Sequence, residues 1–143
     1  MLKKIALTPP PICGPQDTVE QAVEAMLKTR GGAVLVMEGA RLVGIFTERD
    51  VLSRVVGQRR SPGSTLLSDV MTSPVLTVSE DTKVEKALLR MVEHHFRHLP
   101  LVDSHNQPIG LLSIRRIFEH HLHELKSTNS SLLAYMGIDG IGG

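Results

Sequence analysis

Two short segments of the 143-residue chain share a pattern but differ at the residue best suited to chemistry. The segment GIFTERD contains Thr47 and ends at Asp50, and the segment GLLSIRR contains Ser113 and ends at Arg116. A carboxylate only accepts hydrogen bonds, whereas a guanidinium only donates them. Thr47 and Asp50 can also form a capping box, in which each side chain accepts from the other residue's backbone N–H. The two segments therefore predict two sites of different chemistry.

Histidines offer a second chemistry, metal binding. The chain has seven of them, and six fall in two clusters, His94, His95, His98 and His120, His121, His123. His120 and His123 lie three residues apart on a predicted helix and could face one ion. No cysteine-rich or acidic companions complete a ligand set, so we expect no native metal site. The sequence also lacks a glycine-rich phosphate loop, a nucleophile elbow and paired catalytic carboxylates, and we predict that the protein is not an enzyme.

The composition indicates a globular protein, with 41% hydrophobic and 22% charged residues. The formal net charge is +1 and the chain has one Tyr and three Phe, so it lacks the charge and the stacking surface of a nonspecific nucleic-acid binder. Cys13 is the only cysteine, which excludes an internal disulfide and favours a reducing cytoplasm. No apolar run is long enough to cross a bilayer. We therefore expect a cytoplasmic protein that binds neither nucleic acid nor a membrane.

Apolar periodicity reveals an internal repeat. Two segments have apolar residues at i, i+3, i+4, i+7 and i+8, the stripe of an amphipathic helix. They are Val19, Ala22, Val23, Met26 and Leu27 in the first half, and Val84, Ala87, Leu88, Met91 and Val92 in the second. The helices are 65 positions apart and the glycines Gly44 and Gly110 are 66 positions apart. Duplication is the economical explanation of two matching halves.

The elements that position the two segments repeat as well. Each helix is followed by two apolar runs typical of buried strands, 33–37 and 42–46 in the first half, 99–102 and 109–112 in the second. Thr47 and Ser113 can then cap a final helix. We predict that this helix buries Val51, Leu52, Val55 and Val56 in the first half, and Ile117, Phe118, His121 and Leu122 in the second.

With the extended segment before its first helix, each half has the order β-α-β-β-α, which gives an α/β (α+β) fold class. Each half alone buries a marginal core, and packing the two sheets face to face would relieve that shortage. The polar linker 57–64 marks the boundary. We predict a first repeat over residues 1–60, a second over 61–126 and a tail over 127–143. In the tail we expect a loop near 126–131, a short docking helix over 132–136 and a frayed terminus.

These residues resemble the paired cystathionine-β-synthase (CBS) domain, or Bateman module, over nearly the whole chain, from about Ile5 to Leu125. The resemblance rests on the duplicated glycine, apolar, apolar, Thr/Ser pattern before a helix, and on the segment from Phe96 to Asp103. It implies two pseudo-symmetric repeats with a cleft between them, and usually a homodimer. Such modules generally bind adenine-containing ligands of the AMP, ATP, NAD or S-adenosylmethionine type and regulate another protein. The sequence does not identify that effector protein.

The resemblance implies a ligand site shared by the two halves. In the family, the Thr/Ser and the Asp of the pattern hold the phosphate and the ribose hydroxyls, and these positions are Thr47 and Asp50 here. The ligand-binding residues implied are Ile45, Thr47, Asp50, Met71, Thr72, Leu76, Phe96, Arg97 and His98. The chemistry agrees, because the Asp50 carboxylate can accept from both hydroxyls of a ribose. Capping alone for Thr47 and Asp50, and a plain strand edge for Arg97 and His98, are the alternative interpretations.

The second copy of the site departs from the family pattern. Arg116 offers no acceptor, and its complements from the first half, Gly31 and Gly32, have no side chain to contribute. We predict a degenerate second site at Ser113 and Arg116, where the arginine attracts a phosphate, pairs with an acid across a dimer contact, or is solvated surface. The overall prediction is a regulatory module that binds one adenosyl ligand. The alternative is a protein-interaction subunit that binds no nucleotide.

Overall fold

The computed structural model describes residues 1–135 of the chain, and the side chains of residues 1–128. The first half comprises α1 (Leu2–Ile5), β1 (Ile12–Cys13), α2 (Val19–Thr29), β2 (Ala33–Glu38), β3 (Arg41–Thr47) and α3 (Glu48–Asp50), which continues as a π-helical segment (Val51–Val56). The second half comprises α4 (Leu67–Val70), β4 (Val78–Ser79), α5 (Val84–His94), β5 (His98–Val102), β6 (Pro108–Ser113) and α6 (Ile114–Tyr135). The predicted α+β class and the repeated element order are confirmed.

Each half contains a three-stranded sheet with the same topology. The orders are β1-β2-β3 and β4-β5-β6, with a parallel first pair and an antiparallel second pair in both sheets. The register aligns Ala33 with Thr47 in one hairpin and His98 with Ser113 in the other. Thr47 and Ser113 are therefore the last residues of their hairpins. Each lies directly beside the first residue of the preceding strand.

Three buried clusters hold the molecule together. One lies in the second half around Leu99, Leu101 and Leu112, and one lies in the first half around Val34 and Phe46. A third cluster joins the two sheets, with Ala33, Leu35 and Ile45 from the first and Leu111 from the second. The predicted packing of sheet on sheet is therefore present, and it orients the ends of β3 and β6 toward the junction between the halves.

The two short helical turns exchange places between the halves. Leu2 and Ile5 of α1 are buried in the cluster of the second half, whereas Leu67 and Val70 of α4 are buried in the cluster of the first half. Each core therefore contains residues from both sides of the repeat boundary that the sequence predicts. A repeat that is continuous in sequence does not form a separate core here. The residue limits of the two repeats therefore stay predictions.

The segments that follow α1 and α4 cross the partner hairpins at glycines. Leu7 forms an antiparallel bridge with Leu111, and Thr72 forms one with Ile45. A Cβ built on Gly110 would lie 3.0 Å from the Cβ of Ala6, and one on Gly44 would collide with the Met71 side chain. Gly44 and Gly110 therefore permit the close approach of the segments that follow α4 and α1.

The predicted burial of the final helices is partly wrong. Val55 and Ile117 are buried, but Leu52 is 68% exposed, Phe118 is 51% exposed and Leu122 is 65% exposed. Val56 is exposed and His121 is only partly buried. In the first half the π-helical segment buries Val55, and its exposed residues Leu52 and Val56 correspond to the exposed Phe118 and Leu122 of the second half. In the second half α6 packs through a narrow face centred on Ile117.

The expected loop near residues 126–131 is also wrong. Helix α6 runs without a break from Ile114 to Tyr135, through the whole polar stretch. This part of the sequence has no proline or glycine to stop a helix, and serine, threonine and asparagine only weaken helical propensity. Met136 and the glycine-rich end of the predicted tail lie outside the described residues.

Candidate functional site

A cleft of about 670 Å³ lies where the end of β3 meets the second half of the chain. It brings together eight of the nine ligand-binding residues expected from the sequence: Ile45, Thr47, Asp50, Thr72, Leu76, Phe96, Arg97 and His98. They come from β3, α3, the segment after α4, and the connection between α5 and β5 together with the first residue of β5. Met71 is the exception, since its side chain packs against the core of the first half beside Gly44. A cleft lined by residues of both halves is thus present.

Asp50 lies at the base of this cleft and is 8% exposed. Its Oδ2 accepts from the backbone N–H of Thr47 at 3.0 Å and from the Thr47 hydroxyl at 3.2 Å. The Asp50 N–H in turn donates to the Thr47 hydroxyl at 3.3 Å, which completes the capping box. Thr72 donates to both carboxylate oxygens at 3.4 Å. Oδ2 therefore accepts hydrogen bonds from Thr47 and Thr72, while Oδ1 keeps acceptor capacity for a ligand.

Arg54 fixes the opposite side of the Asp50 carboxylate. Its Nε lies 3.7 Å from Asp50 Oδ1. Its Nη1 donates to the carbonyl oxygens of Val70 at 3.2 Å and Met71 at 2.8 Å. The guanidinium thus ties the end of α4 to the helix that carries Asp50.

His98 and Arg97 form the wall of the cleft contributed by the start of β5. Burial lowers the pKa of the His98 imidazole, and the nearby positive charge of Arg97 also lowers it, while Glu48 opposes the shift. The ring lies against Gly32, where a Cβ would be only 2.8 Å from its Nε2. The glycine at the start of β2 therefore makes room for a neutral imidazole from the other half.

Aromatic rings lie at the mouth of the cleft. His94 and Phe96 stack with their ring centroids 5.8 Å apart and an interplanar angle of 19°. Arg49 crosses from α3 to donate to the His95 carbonyl oxygen at 3.4 Å. Phe96 is 37% exposed, so part of its face is free to contact a planar ligand.

Several residues of the cleft were not expected from the sequence, among them Glu48, Arg49, Leu52, Arg54 and His94. Arg54 had a usable signal, because it follows Asp50 by four positions and such pairs face each other on a helix. Leu52 had a misleading signal, since its apolar character predicted burial. Its 68% exposure puts an apolar side chain at the edge of the cleft instead.

A second cavity of about 590 Å³ occupies the pseudo-symmetric position, at the end of β6. Ser113 and Arg116 line it, together with Gly31 and Gly32 of the first half. The Ser113 hydroxyl accepts from the Arg116 N–H at 3.1 Å, as Thr47 does in the first half. The Arg116 Nε donates to the Ile5 carbonyl oxygen at 2.8 Å, which tethers the guanidinium to the end of α1. The cap is kept and the carboxylate is absent.

Three residues line both spaces: Glu48, Arg97 and His98. We call this set the partition. Glu48 begins α3, and its N–H donates to the Gly32 carbonyl oxygen at 2.9 Å, so first-half and second-half residues meet in the partition. The cleft and the second cavity are consequently neighbours that share charged groups.

Neither a metal centre nor a membrane span emerges from residues 1–135. Within that part of the chain, no group of three or more His, Cys, Asp or Glu residues is arranged to hold an ion. No helix of the same residues has both the length and the apolar character needed to cross a bilayer. His120 instead lies beside Glu124, with His120 Nε2 at 3.1 Å from Glu124 Oε1.

The fold, with a cleft between two repeated halves, defines a class of tandem-repeat domain, and the sequence profile of that class agrees. The CBS domain profile matches residues 2–57 and 67–123. The chain therefore belongs to the CBS domain family, as a tandem pair. CBS-domain pairs are generally regulatory rather than catalytic.

Relatives with known sequences and structures are similar over most of the chain. An uncharacterised protein of Methanopyrus kandleri is 38% identical over 70% of this chain and 53% of its own length, and the mitochondrial CBS domain-containing protein CBSX3 of Arabidopsis thaliana is 36% identical over 87% and 62%. The chain thus spans little more than half the length of these relatives.

Solved structures of two relatives have the same fold. A protein with CBS domains from Burkholderia ambifaria matches with a TM-score of 0.74 and 33% identity, over 80% of this chain and 82% of that chain. A CBS domain protein of Pyrobaculum aerophilum complexed with AMP matches with a TM-score of 0.73 and 27% identity, over 80% of this chain and 88% of that chain.

Proposed function

We propose that this CBS pair is a regulatory module that senses an adenine nucleotide or a related adenosyl ligand in the cleft that contains Asp50. The observation that carries the proposal is a buried carboxylate whose Oδ2 is held by Thr47 while Oδ1 keeps acceptor capacity. A vicinal diol supplies two donors that match such an acceptor. The AMP complex of the Pyrobaculum aerophilum relative supports this ligand class.

The other end of the ligand would meet positive charge and an apolar rim. Arg97 is exposed on the cleft wall, and its side chain makes no hydrogen bond or ion pair within the described residues, so the guanidinium is available to a phosphate. Val75, Leu76 and the Phe96 ring supply apolar contacts for a base. A ligand that touches both halves at once has a different affinity for different packings of those halves, which is the physical requirement for regulation.

Titration calorimetry with AMP tests the role of the carboxylate. Asp50→Asn keeps one acceptor oxygen for the cap but replaces the other acceptor with a donor. We expect AMP affinity to fall by about 10- to 1,000-fold, since hydrogen bonds to a charged acceptor are the strong ones. Arg116→Ala, in the second cavity, should change AMP affinity little.

The exposed acid Asp69 provides a matched control, and Asp69→Asn should leave AMP affinity unchanged. Equal losses in Asp50→Asn and Arg116→Ala would contradict a single Asp50-dependent site. A thermal-unfolding screen with AMP, ATP, NAD and S-adenosylmethionine covers the ligand class. If none of the four raises the unfolding temperature, the protein is instead an interaction subunit that works without a nucleotide.

We also propose that the module forms a homodimer. Helices α5 and α6 contact each other and leave large apolar side chains exposed, with Leu89 at 55%, Val92 at 58% and Phe118 at 51%. Leu122 and Leu125 continue this face along α6 at 65% and 58% exposure. A contiguous apolar face of this kind is typical of a surface that a partner covers, and a second copy of the chain can cover it symmetrically.

Light scattering after size-exclusion chromatography tests the dimer. Combining Phe118→Glu with Leu122→Glu introduces two buried charges into the proposed interface, and the mass should fall from that of two chains to that of one. Arg60→Glu reverses a charge in the exposed linker, outside α5 and α6, and should leave the mass unchanged. A wild-type protein that is monomeric at high micromolar concentration would refute the proposal.

The single, buried cysteine fits a reducing compartment such as the cytoplasm for this protein.

A further inference from the structure

The second cavity contains more positive charge than the protein itself neutralises. Four arginines line it, Arg30, Arg97, Arg115 and Arg116, against the two acids Glu48 and Glu119. His98 also lines it, and burial holds its pKa low and favours the neutral ring. The lining therefore keeps a surplus of two positive charges around a space of about 590 Å³. A cavity of this kind attracts an anion.

The terminal nitrogens of these arginines are available. Arg115 uses its Nε for Glu119 at 3.0 Å, and Arg116 uses its Nε for the Ile5 carbonyl oxygen at 2.8 Å. Among the described residues, neither uses its Nη atoms, and Arg30 and Arg97 form no side-chain hydrogen bond or ion pair at all. Guanidinium groups with free Nη atoms bind phosphate oxygens in a bidentate manner.

The same cavity is poorly suited to a nucleoside. The position equivalent to Asp50 is occupied by Arg116, so no carboxylate is present there to accept from a sugar diol. Gly31 and Gly32 add no side chain on the facing wall. The positive end of α6, a helix of 22 residues, adds to the field of the arginines. The lining therefore favours a compact oxyanion over a sugar.

We propose that the second cavity is a binding site for a phosphate-rich oxyanion, held by the free guanidinium nitrogens of Arg115 and Arg116 together with Arg97 of the partition. The phosphates can come from two sources. One is a free anion such as inorganic pyrophosphate. The other is the polyphosphate tail of a nucleotide whose sugar lies in the cleft, and this second source rests on the proposed function.

Phosphates from either source would contact the same residues, because the partition borders both the cleft and the second cavity. Arg97 and His98 line both spaces, so a chain of phosphates that starts in the cleft passes them to reach Arg115 and Arg116. A free diphosphate in the cavity would compete with the nucleotide for Arg97, and its charge would repel the phosphate of AMP. Pyrophosphate should consequently weaken AMP binding, by a factor of about 3 to 10 if Arg97 serves one anion at a time.

Calorimetry with inorganic pyrophosphate at one fixed ionic strength tests the site without any nucleotide. The wild type should bind, and Arg115→Ala and Arg116→Ala should each weaken binding by about ten-fold. Arg115 has 82% of its side chain exposed, so its removal leaves the fold intact even if Arg116→Ala loosens the tether to Ile5. Arg60→Ala removes an exposed linker arginine and is the matched control, expected to bind as the wild type does.

Parallel titrations with AMP and ATP distinguish the sources. If the tail of a nucleotide fills the cavity, Arg115→Ala lowers ATP affinity about ten-fold and leaves AMP affinity unchanged. If a free anion fills it, the variant lowers pyrophosphate affinity alone. The proposal is overturned if neither anion loses affinity in Arg115→Ala and Arg116→Ala, or if Arg60→Ala loses as much. Should no nucleotide bind at all, the proposed function fails while the pyrophosphate result still decides this site.

Discussion

Arg54 and Arg116 perform the same structural task from different positions on the final helices. Arg54 Nη1 donates to the Met71 carbonyl oxygen just after α4, and Arg116 Nε donates to the Ile5 carbonyl oxygen at the end of α1. Arg116 does so one turn earlier in its helix, at the position that Asp50 occupies in the first half. At the scale of single residues, the second half therefore ties down its helical turn with the side chain that replaces its carboxylate.

His98 should make folding sensitive to acid. Burial holds its pKa below the ordinary value of 6.5, so the folded protein binds this proton less readily than the unfolded chain. The free energy of unfolding should therefore fall as the pH drops below about 6.5, and the loss should level off below the folded pKa. Urea unfolding at about pH 7.5 and about pH 5.5 measures it.

His98→Gln removes the titrating group, and the variant should lose less stability than the wild type over the same pH interval. His105→Gln, on the exposed turn between β5 and β6, serves as the control and should lose as much as the wild type. An identical loss in His98→Gln and the wild type would contradict a role for the buried ring. An added phosphate that binds at His98 should reduce the acid sensitivity, since an anion favours the protonated imidazole.

At the scale of elements, Gly44 and Gly110 allow each hairpin to be crossed by a segment from the other half of the chain. Gly44→Ala and Gly110→Ala should each lower the free energy of unfolding by about 1–3 kcal/mol, because the added Cβ overlaps Met71 in one case and Ala6 in the other. Chemical denaturation measures the loss. Gly14→Ala is the control, since its nearest neighbour would be 3.7 Å away. A neutral Gly110→Ala would mean that the crossing segment moves aside freely.

The amphipathic helices and hairpins were predictable because their apolar residues recur at 3.6 or alternate within short buried runs. The cap by Thr47 was predictable too, since hydroxyl residues before a helix have a known role. The π-helical segment was not predictable, because Val51, Val55 and Val56 fit a regular helix equally well by type. Nor was the full length of α6, whose polar stretch has neither a strong helical period nor a residue that stops a helix.

At the scale of the whole molecule, the exchange of α1 and α4 makes each half depend on the other for its core. Leu2→Ala should therefore lower the free energy of unfolding by about 2–5 kcal/mol although α1 is far in sequence from the core it joins, since Leu2 is 0% exposed. Leu67→Ala should cost a similar amount in the first half. Leu27 is 75% exposed, and Leu27→Ala should change stability by less than about 0.5 kcal/mol.

Denaturant unfolding with two spectroscopic probes would check these values and the cooperativity together. A negligible effect of Leu2→Ala would show that α1 is dispensable for the second core. The exchange itself had no sequence signal, because a four-residue turn such as α1 is too short to have a detectable period. The composition of the cleft was predictable only through the resemblance to the CBS pair, and the position of Glu48 in the partition depends on the packing of both halves.

The interleaving of α1 and α4 also limits how a bound ligand can act at a distance. Two halves joined only by a linker could swing apart as independent bodies. Here each half contributes a short helix, α1 or α4, to the buried core of the other half, so neither half can be displaced without moving that helix. The exchange of α1 and α4 therefore opposes a separation of the two halves and favours small concerted displacements of both.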